Sequence, residues 1–240
     1  MLRRLLPSSL ELVLKKILFF GRKHDCPVCR SAVRSFQPGG VISRPNALCP
    51  VCGSLERHRL VWLYFRTHTN LFDHAPKRML HVAPEPPLER ALKKLPNLRY
   101  LTADLYNSTA MVVMDITNIH YPDHSFDVIY CSHVLEHVPD DRKAIQEFYR
   151  VLSPKGYAVF LVPITAEKTF EDPTITDPAE RERLFGQDDH VRRYGPDFMD
   201  RLKEGGFDVQ DISARDLVGP DQLKRQGVLE SESIFFCRKG

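Results

Sequence analysis

Two copies of one short motif constrain this chain more than any other feature: Cys26-Pro-Val-Cys29 and Cys49-Pro-Val-Cys52, with nineteen residues between them. Two residues between cysteines let both thiolates of a tight turn point at one ion. Two such turns supply four sulfurs in a tetrahedron, the donor set of a closed structural Zn²⁺ site. Gly53 follows the second pair and suits a turn that needs positive φ. An iron–sulfur cluster or a redox dithiol would use the same motif; zinc is the expectation for Cys26, Cys29, Cys49 and Cys52. His24 and His58 flank the pairs, but four thiolates already complete the site, so both are expected outside it. A closed site does no chemistry on substrate, and the ion is assigned to folding. Arg30, Arg34, Arg44, Arg57 and Arg59 surround it and could face an acidic partner.

Cys131 and Cys237 are isolated. The apolar run Leu10–Phe20 is broken by Lys15 and Lys16, precedes no small-residue cleavage site, and is too short to span a bilayer. A reducing cytosol is therefore expected, with cysteine pairs that bind metal rather than form disulfides. The expected location is cytoplasmic, or peripheral to a membrane. The run reads as a helix from a Ser8 cap to about Phe20. Leu10, Val13, Leu14 and Ile17 make one face apolar, and Glu11 and Lys15 form an i, i+4 pair beside it. Arg3, Arg4, Lys15, Lys16, Arg22 and Lys23 surround it with positive charge. Such a face ordinarily docks on the main domain or a second subunit. An anionic membrane surface, met through residues 1–23, is the alternative.

Charge divides along the chain. Residues 1–70 hold twelve Lys/Arg against Glu11, Asp25 and Glu56, a net of +9. The rest nets −6, giving +3 over 240 residues. A basic head on an acidic body suggests two parts with different partners. With 42% hydrophobic and 27% charged residues, the chain is neither fibrous nor disordered, and it can build a core without disulfides.

Residues 24–53 read as a metal knuckle with little other structure, and Ser54 starts a helix reaching about His68. From Arg78 the pattern changes to strand-length apolar runs alternating with helices. Strands are expected at Met79–Ala83, Arg99–Leu105, Met111–Ile116, Asp127–Cys131 and Tyr157–Pro163. Helices fit Pro87–Leu95, Asp140–Leu152 and Pro196–Gly205. This alternation means βαβ units and a parallel sheet covered on both faces. Phe207–Ser213 and Ser233–Arg238 are two further strands joined by a polar loop. The resulting division is 1–22 basic helix, 23–70 knuckle and linking helix, and 71–240 α/β domain.

In a doubly wound sheet, ligands bind at the carboxyl ends of the strands. Leu80-His-Val-Ala-Pro-Glu85 ends the first strand, Asp104 the second, and Asp115 the third. An acid ending the second strand can accept both ribose hydroxyl protons, and Asp115 can sit beside an adenine ring. Any one carboxylate alone would be a solvated loop or cap. Their succession at strand ends points to a nucleoside site.

Here the chain resembles a known family. Ser125-Phe-Asp-Val-Ile-Tyr-Cys-Ser-His-Val-Leu-Glu-His-Val138, then Glu147-Phe-Tyr-Arg-Val-Leu-Ser-Pro-Lys-Gly156 and the strand to Pro163, is similar to class I S-adenosylmethionine-dependent methyltransferases of the broad type 11 group. The resemblance covers residues 78–240. It implies a Rossmann-like α/β fold, a doubly wound seven-stranded sheet with an antiparallel last strand, here preceded by the small zinc module. It implies that Asp104 binds the ribose hydroxyls of S-adenosylmethionine, that Asp115 and Ile116 frame the adenine, and that Ser132 and His133 lie beside the methyl group. One departure stands out. The family's loop after strand one is glycine-rich, whereas Ala83-Pro-Glu-Pro-Pro87 holds three prolines, which donate no N–H. Ala83 and Glu85 are the candidates there, with Glu85 facing the cofactor ammonium. A subset of such enzymes has a similar Ala-Pro-Glu loop.

Methyl transfer is an in-line displacement, in which the protein aligns the nucleophile, excludes water and can take a proton. The segment Phe185-Gly-Gln-Asp-Asp-His-Val-Arg-Arg-Tyr-Gly195 resembles a block of that subset, in a region that often covers the acceptor pocket. His190 is the expected base or substrate ligand, with Arg192 and Tyr194 as orienters. His133 and His137 lie four apart with Glu136 between, but the H-E-x-x-H order of a metal pair is absent. Thr169–Pro178 reads as a lid or connecting loop. The expected activity is methyl transfer to a small-molecule or glycan-like acceptor. An RNA methyltransferase of the zinc-knuckle rRNA type is the first alternative, supported by the basic head. Against it, only Phe36 supplies a stacking surface in the knuckle, and no Asn-Pro-Pro-Tyr-type motif follows strand four. The second alternative is a non-catalytic binding module. No pattern reports the oligomeric state.

Overall fold

The computed structural model describes residues 8–106 and 109–240, with side chains from Leu10 onward among the first of these. Arg3, Arg4 and the capping side chain of Ser8 lie outside the described residues. In chain order the elements begin with α1 (Ser8–Leu18), β1 (Phe20–Cys26), β2 (Ser31–Val33), β3 (Gln37–Gly39), β4 (Arg44–Leu48) and α2 (Glu56–His68). Then come β5 (Lys77–Val82), α3 (Pro86–Leu92), β6 (Leu98–Asp104), β7 (Val112–Val113), β8 (Phe126–Ser132), a 3-10 turn at Leu135–His137, α4 (Asp141–Val151) and β9 (Leu152–Leu161). The last group is β10 (Phe170–Glu171), α5 (Pro178–Phe185), β11 (Arg192–Arg193), α6 (Phe198–Glu204), β12 (Phe207–Ser213), α7 (Ala214–Leu217), α8 (Pro220–Gln226) and β13 (Ser233–Lys239). They form two compact units. The first runs to His74 and takes in Glu85–Pro96 and Ser213–Ser233; the second is Ala75–Pro84, Asn97–Ile212 and Ile234–Gly240.

In the first unit the knuckle is more regular than its sequence suggests. β1 pairs antiparallel with β2, and β3 with β4. Strands this short carry no readable alternation; the first cysteine turn joins β1 to β2, and the second follows β4. α2 buries Leu60 through Phe65 without a break, so it is apolar all round and forms the unit's core. Arg59 is fully buried among these side chains. Its guanidinium lies 4.1 Å over the Phe36 ring, and it donates to the carbonyls of Ser54 (2.6 Å) and Gly227 (3.2 Å). Gly227 has φ of 61°, and a Cβ there would stand 2.4 Å from the Phe36 ring, so only glycine fits. This corrects the expectation for the knuckle arginines. Arg59 is interior; Arg44 pairs with Glu56, Arg57 with Glu85, and Arg34 donates to the Leu18 carbonyl.

α1 turns its apolar face outward. Leu10, Val13, Leu14, Ile17 and Leu18 form one continuous arc on a helical wheel, and every one is exposed, Ile17 by 69%.

In the second unit seven strands lie in the order β12-β13-β9-β8-β5-β6-β7. β5, β6, β7, β8 and β9 pair in parallel, and β13 runs antiparallel to β9. The expected doubly wound sheet with its antiparallel last strand is therefore present. The central strands bury every residue of Ile129–Ser132 and Gly156–Val162, which is why they read as continuous apolar runs rather than alternations. α4 packs Ala144, Ile145, Phe148 and Val151 into the core and is capped by Asp140, which accepts from the Lys143 amide at 2.9 Å. The third strand is shorter than expected, with Met114–Ile116 past its end. α5, α7 and α8 occupy stretches that read as loop, being too polar to show a face.

Candidate functional site

Register brings the expected ligand residues of the second unit to one edge of the sheet. Val82 pairs with Ala103 on one side and Cys131 on the other, so β5, β6 and β8 end level at Ala83, Asp104 and Ser132. The Met114 amide donates to the Asp104 carbonyl at 3.1 Å and brings Asp115 and Ile116 to the same edge. Asp104 Oδ1 accepts from the Tyr106 amide at 2.8 Å. Asp115 is exposed, and the amide and hydroxyl of Thr117, each at 2.8 Å, hold its carboxyl below the usual range. It stands on the wall of a concavity of about 300 Å³, with Val112–Met114, Asn118, His120 and Tyr121. Leu105, Tyr106, Met111 and Val113 are exposed beside it.

Two backbone details support a ligand at this edge. Ala83 and His133 both adopt left-handed φ, 47° and 53°, directly after β5 and β8. Each costs about 1 kcal/mol or more in a non-glycine residue, and such strain concentrates at functional sites. The glycine-free loop thus still makes the turn that glycine would. Ser132 Oγ is buried and has no hydrogen-bond partner among the described residues, an acceptor or donor left for a ligand. Glu85 belongs to the first unit, where its carboxylate meets His58 Nε2 at 2.8 Å and Arg57 Nε at 3.1 Å.

His133 is partly exposed, and its Nδ1 lies 3.4 Å from Glu136 Oε1. His190 is buried, and its ring packs edge-on against that of His137 with centroids 4.6 Å apart. Burial, then the nearby His137, pushes the His190 pKa down. Arg192 and Tyr194 do not reach any open surface. Arg192 Nη1 donates to the Leu135 carbonyl at 2.7 Å, Nη2 to the Pro139 carbonyl at 2.8 Å, and Nε to Glu171 Oε2 at 2.8 Å. Tyr194 donates to Asp141 Oδ2 at 2.6 Å, and burial raises its pKa. Arg201 spans Asp141 (2.9 Å) and Glu171 (2.7 Å). The network holds the turn that carries Glu136 and His137. Sequence reading missed Asp141, Glu171 and Arg201. They come from a helix start, the presumed lid loop and another helix, and no spacing links them.

In the first unit, Cys26 and Cys52 Sγ stand 3.7 Å apart and Cys29 and Cys49 Sγ 3.8 Å, with all four sulfurs within 4.8 Å of one another. A tetrahedral ion with 2.3 Å bonds to sulfur needs edges of about 3.8 Å, whereas a disulfide closes to about 2.05 Å. Ser54 Oγ lies 3.3 Å from both Cys26 and Cys52. Gly53 has φ of 80°, as its place after the pair requires.

Comparison with known proteins adds to this geometry. Residues 68–160 match the family model described as "Methyltransferase domain". Phosphoethanolamine N-methyltransferase 1 of Arabidopsis thaliana is 34% identical over 110 residues, 45% of this chain and 20% of that protein. A ubiquinone/menaquinone biosynthesis C-methyltransferase of Rickettsia akari is 36% identical over 69 residues, 28% of each. The chain thus matches between 20% and 28% of the length of these curated relatives. Among solved structures, the [4+2]-cyclase SpnF aligns over 97% of this chain and 94% of its own, at TM-score 0.52 and 14% identity. Burkholderia thailandensis 1,6-didemethyltoxoflavin-N1-methyltransferase, with its acceptor and S-adenosylhomocysteine bound, aligns over 77% of each at TM-score 0.50 and 13% identity. These likenesses establish a Rossmann-like methyltransferase fold.

Proposed function

We propose that this chain is an S-adenosylmethionine-dependent methyltransferase acting on a small-molecule or glycan-like acceptor, with a structural zinc ion on Cys26, Cys29, Cys49 and Cys52. The observation that carries the activity is the level ending of β5, β6 and β8, which gathers Ala83, Asp104, Asp115, Ile116 and Ser132 at one edge. Asp104 would hold the ribose hydroxyls, Asp115 and Ile116 the adenine, and Ser132 the methionine end. S-adenosylmethionine, bound there, supplies an activated methyl group. His133, partly exposed at the end of β8 and backed by the Glu136 carboxylate, takes the acceptor's proton. Because His190 is buried, the base role is assigned to His133, and Arg192 and Tyr194 act as positioning residues through the turn they hold. The small acceptors in the relatives' names, phosphoethanolamine and 1,6-didemethyltoxoflavin, support a small-molecule substrate. The internal pairing of Arg44, Arg57 and Arg59 leaves fewer cations for RNA phosphates and argues against the nucleic-acid alternative.

Calorimetry with S-adenosylhomocysteine tests this. The wild-type chain binds, and Asp104→Ala raises Kd roughly 30- to 1000-fold through loss of about 2–4 kcal/mol in two charge-assisted hydrogen bonds. No heat from the wild type up to millimolar ligand would favour the non-catalytic module instead.

A second reading concerns α1 alone. Its exposed aliphatic arc, flanked by Lys15, Lys16, Arg22 and Lys23, fits an anionic membrane surface. Among the described residues no helix is long and apolar enough to cross a membrane, so the contact would be peripheral. Flotation with phosphatidylserine-containing vesicles is expected to recover the chain, and each cation near the surface adds about 1 kcal/mol. Ile17→Glu abolishes recovery, and neutral vesicles recover far less. Recovery independent of lipid charge and of Ile17 would refute the reading.

A further inference from the structure

We propose that Glu136, His137 and His190 form a second metal site, for a divalent first-row transition ion held by two imidazoles and one carboxylate. Glu136 and His137 come from the 3-10 turn after β8. His190 comes from the segment before β11, and the Val191 amide fastens it by donating to the Glu136 carbonyl at 2.9 Å. One ligand atom from each of the three lies within 4.8 Å of the others.

Unsatisfied polar atoms point into this cluster. Glu136 is 1% exposed and His190 5%, yet Glu136 Oε2 and His190 Nε2 have no hydrogen-bond partner among the described residues. A buried carboxylate oxygen and a buried imidazole nitrogen without protein partners are each costly, and a shared cation would satisfy both. The outer partners match those of ligating histidines, whose second ring nitrogen is normally fixed by a carbonyl or carboxylate. His190 Nδ1 lies 3.2 Å from the Phe185 carbonyl, which fixes the tautomer that leaves the Nε2 lone pair bare. His137 Nδ1 lies 3.1 Å from Asp189 Oδ2, which leaves its Nε2 as the nitrogen on offer. Glu136 Oε1 faces His133, so one carboxylate would join the ion to the edge where Ser132 stands.

The donor set selects the ion. Two histidines and one carboxylate suit Zn²⁺ or Fe²⁺, while Mg²⁺ and Ca²⁺ prefer all-oxygen shells. Bonds of 2.0–2.2 Å bring ligand atoms to about 3.3 Å from one another, within reach of small χ adjustments from the present spacing. His137 is partly exposed, so the fourth position opens toward solvent, as in zinc sites that bind a water or a substrate atom. The site lies outside the zinc pattern of the cysteines and does not depend on the methyltransferase reading.

The test is metal stoichiometry on the full chain, grown with zinc and dialysed against metal-free buffer without chelator. Wild type is expected to retain one equivalent more than His190→Ala and His137→Asn, both of which keep the cysteine-bound ion. Asp189→Ala weakens the second equivalent by about 10- to 100-fold. Cobalt gives an independent readout: titrating the wild type adds ligand-field bands of a nitrogen–oxygen site, without thiolate charge transfer. These bands are absent from both histidine variants. Equal metal in wild type and variants, or a cobalt spectrum of thiolate type alone, would overturn the proposal. Should the variants misfold by circular dichroism, the wild-type cobalt spectrum still decides.

Discussion

Cys49→Ser is expected to strip the chain of its cysteine-bound zinc and unfold the first unit. Three thiolates cannot complete the tetrahedron, and the 3.7–3.8 Å sulfur contacts lose their common partner. Structural zinc in comparable small sites contributes about 10–16 kcal/mol of apparent binding energy at neutral pH, which is also folding energy. That is as large as the whole stability of an ordinary domain, about 5–15 kcal/mol. The hairpins β1–β2 and β3–β4 are too short to stand without the ion, since an isolated two-stranded hairpin is marginal in water. Metal analysis after dialysis and thermal melts with and without a strong chelator give the readout. The chelator should abolish the first unit's transition in wild type, a transition that Cys49→Ser already lacks without it. Full zinc retention with an unshifted melt would show that the cysteines are not a structural site.

The second large effect is expected at Asp141. Removing its carboxylate leaves the Arg201 guanidinium buried with half its compensation and Tyr194 with its hydroxyl donor directed at nothing. Breaking a buried pair by deleting one partner costs about 3–5 kcal/mol. At about 2–4 °C per kcal/mol for a domain of this size, Asp141→Ala should lower Tm by roughly 10 °C. The loss should carry into function, because the same network holds the turn bearing Glu136 and His137.

Its neighbour gives the pH dependence. Hydrogen bonding from Arg201, reinforced by Arg192, holds the Glu171 carboxyl down to about 2, against an ordinary value of 4.5. A carboxylate depressed in the folded state contributes stability that is complete above the unfolded value and is lost as pH falls through the folded one. Stability should therefore be level above about pH 5 and decline between pH 4.5 and about 2. Glu171→Gln should flatten part of that decline in denaturant titrations at stepped pH.

The legible part of this protein follows from periodicity and chemistry. β5, β8 and β9 appear as apolar runs because both faces of the sheet are covered, and their spacing by helical segments implies parallel order. Asp104 and Asp115 were findable because strand ends are fixed points in such a fold. Ala83 shows the limit of composition: a proline-rich loop without glycine still adopts the left-handed turn, since the flanking strands force it. The outward face of α1 was legible as amphipathic, but amphipathicity alone does not say what it meets.

The sequence by itself determined the two cysteine turns, the order of strands and helices, and the carboxylates at their ends. All of these depend on neighbours close along the chain or on a repeating period. Only the tertiary structure decided which charges are spent internally, and which histidine stands open. Arg59 beneath Phe36, Arg192 on the Leu135–Pro139 carbonyls, and His190 beside Glu136 are meetings of side chains from distant segments. Burial and hydrogen bonding at such meetings set charge state and accessibility, and no local pattern in the chain encodes them.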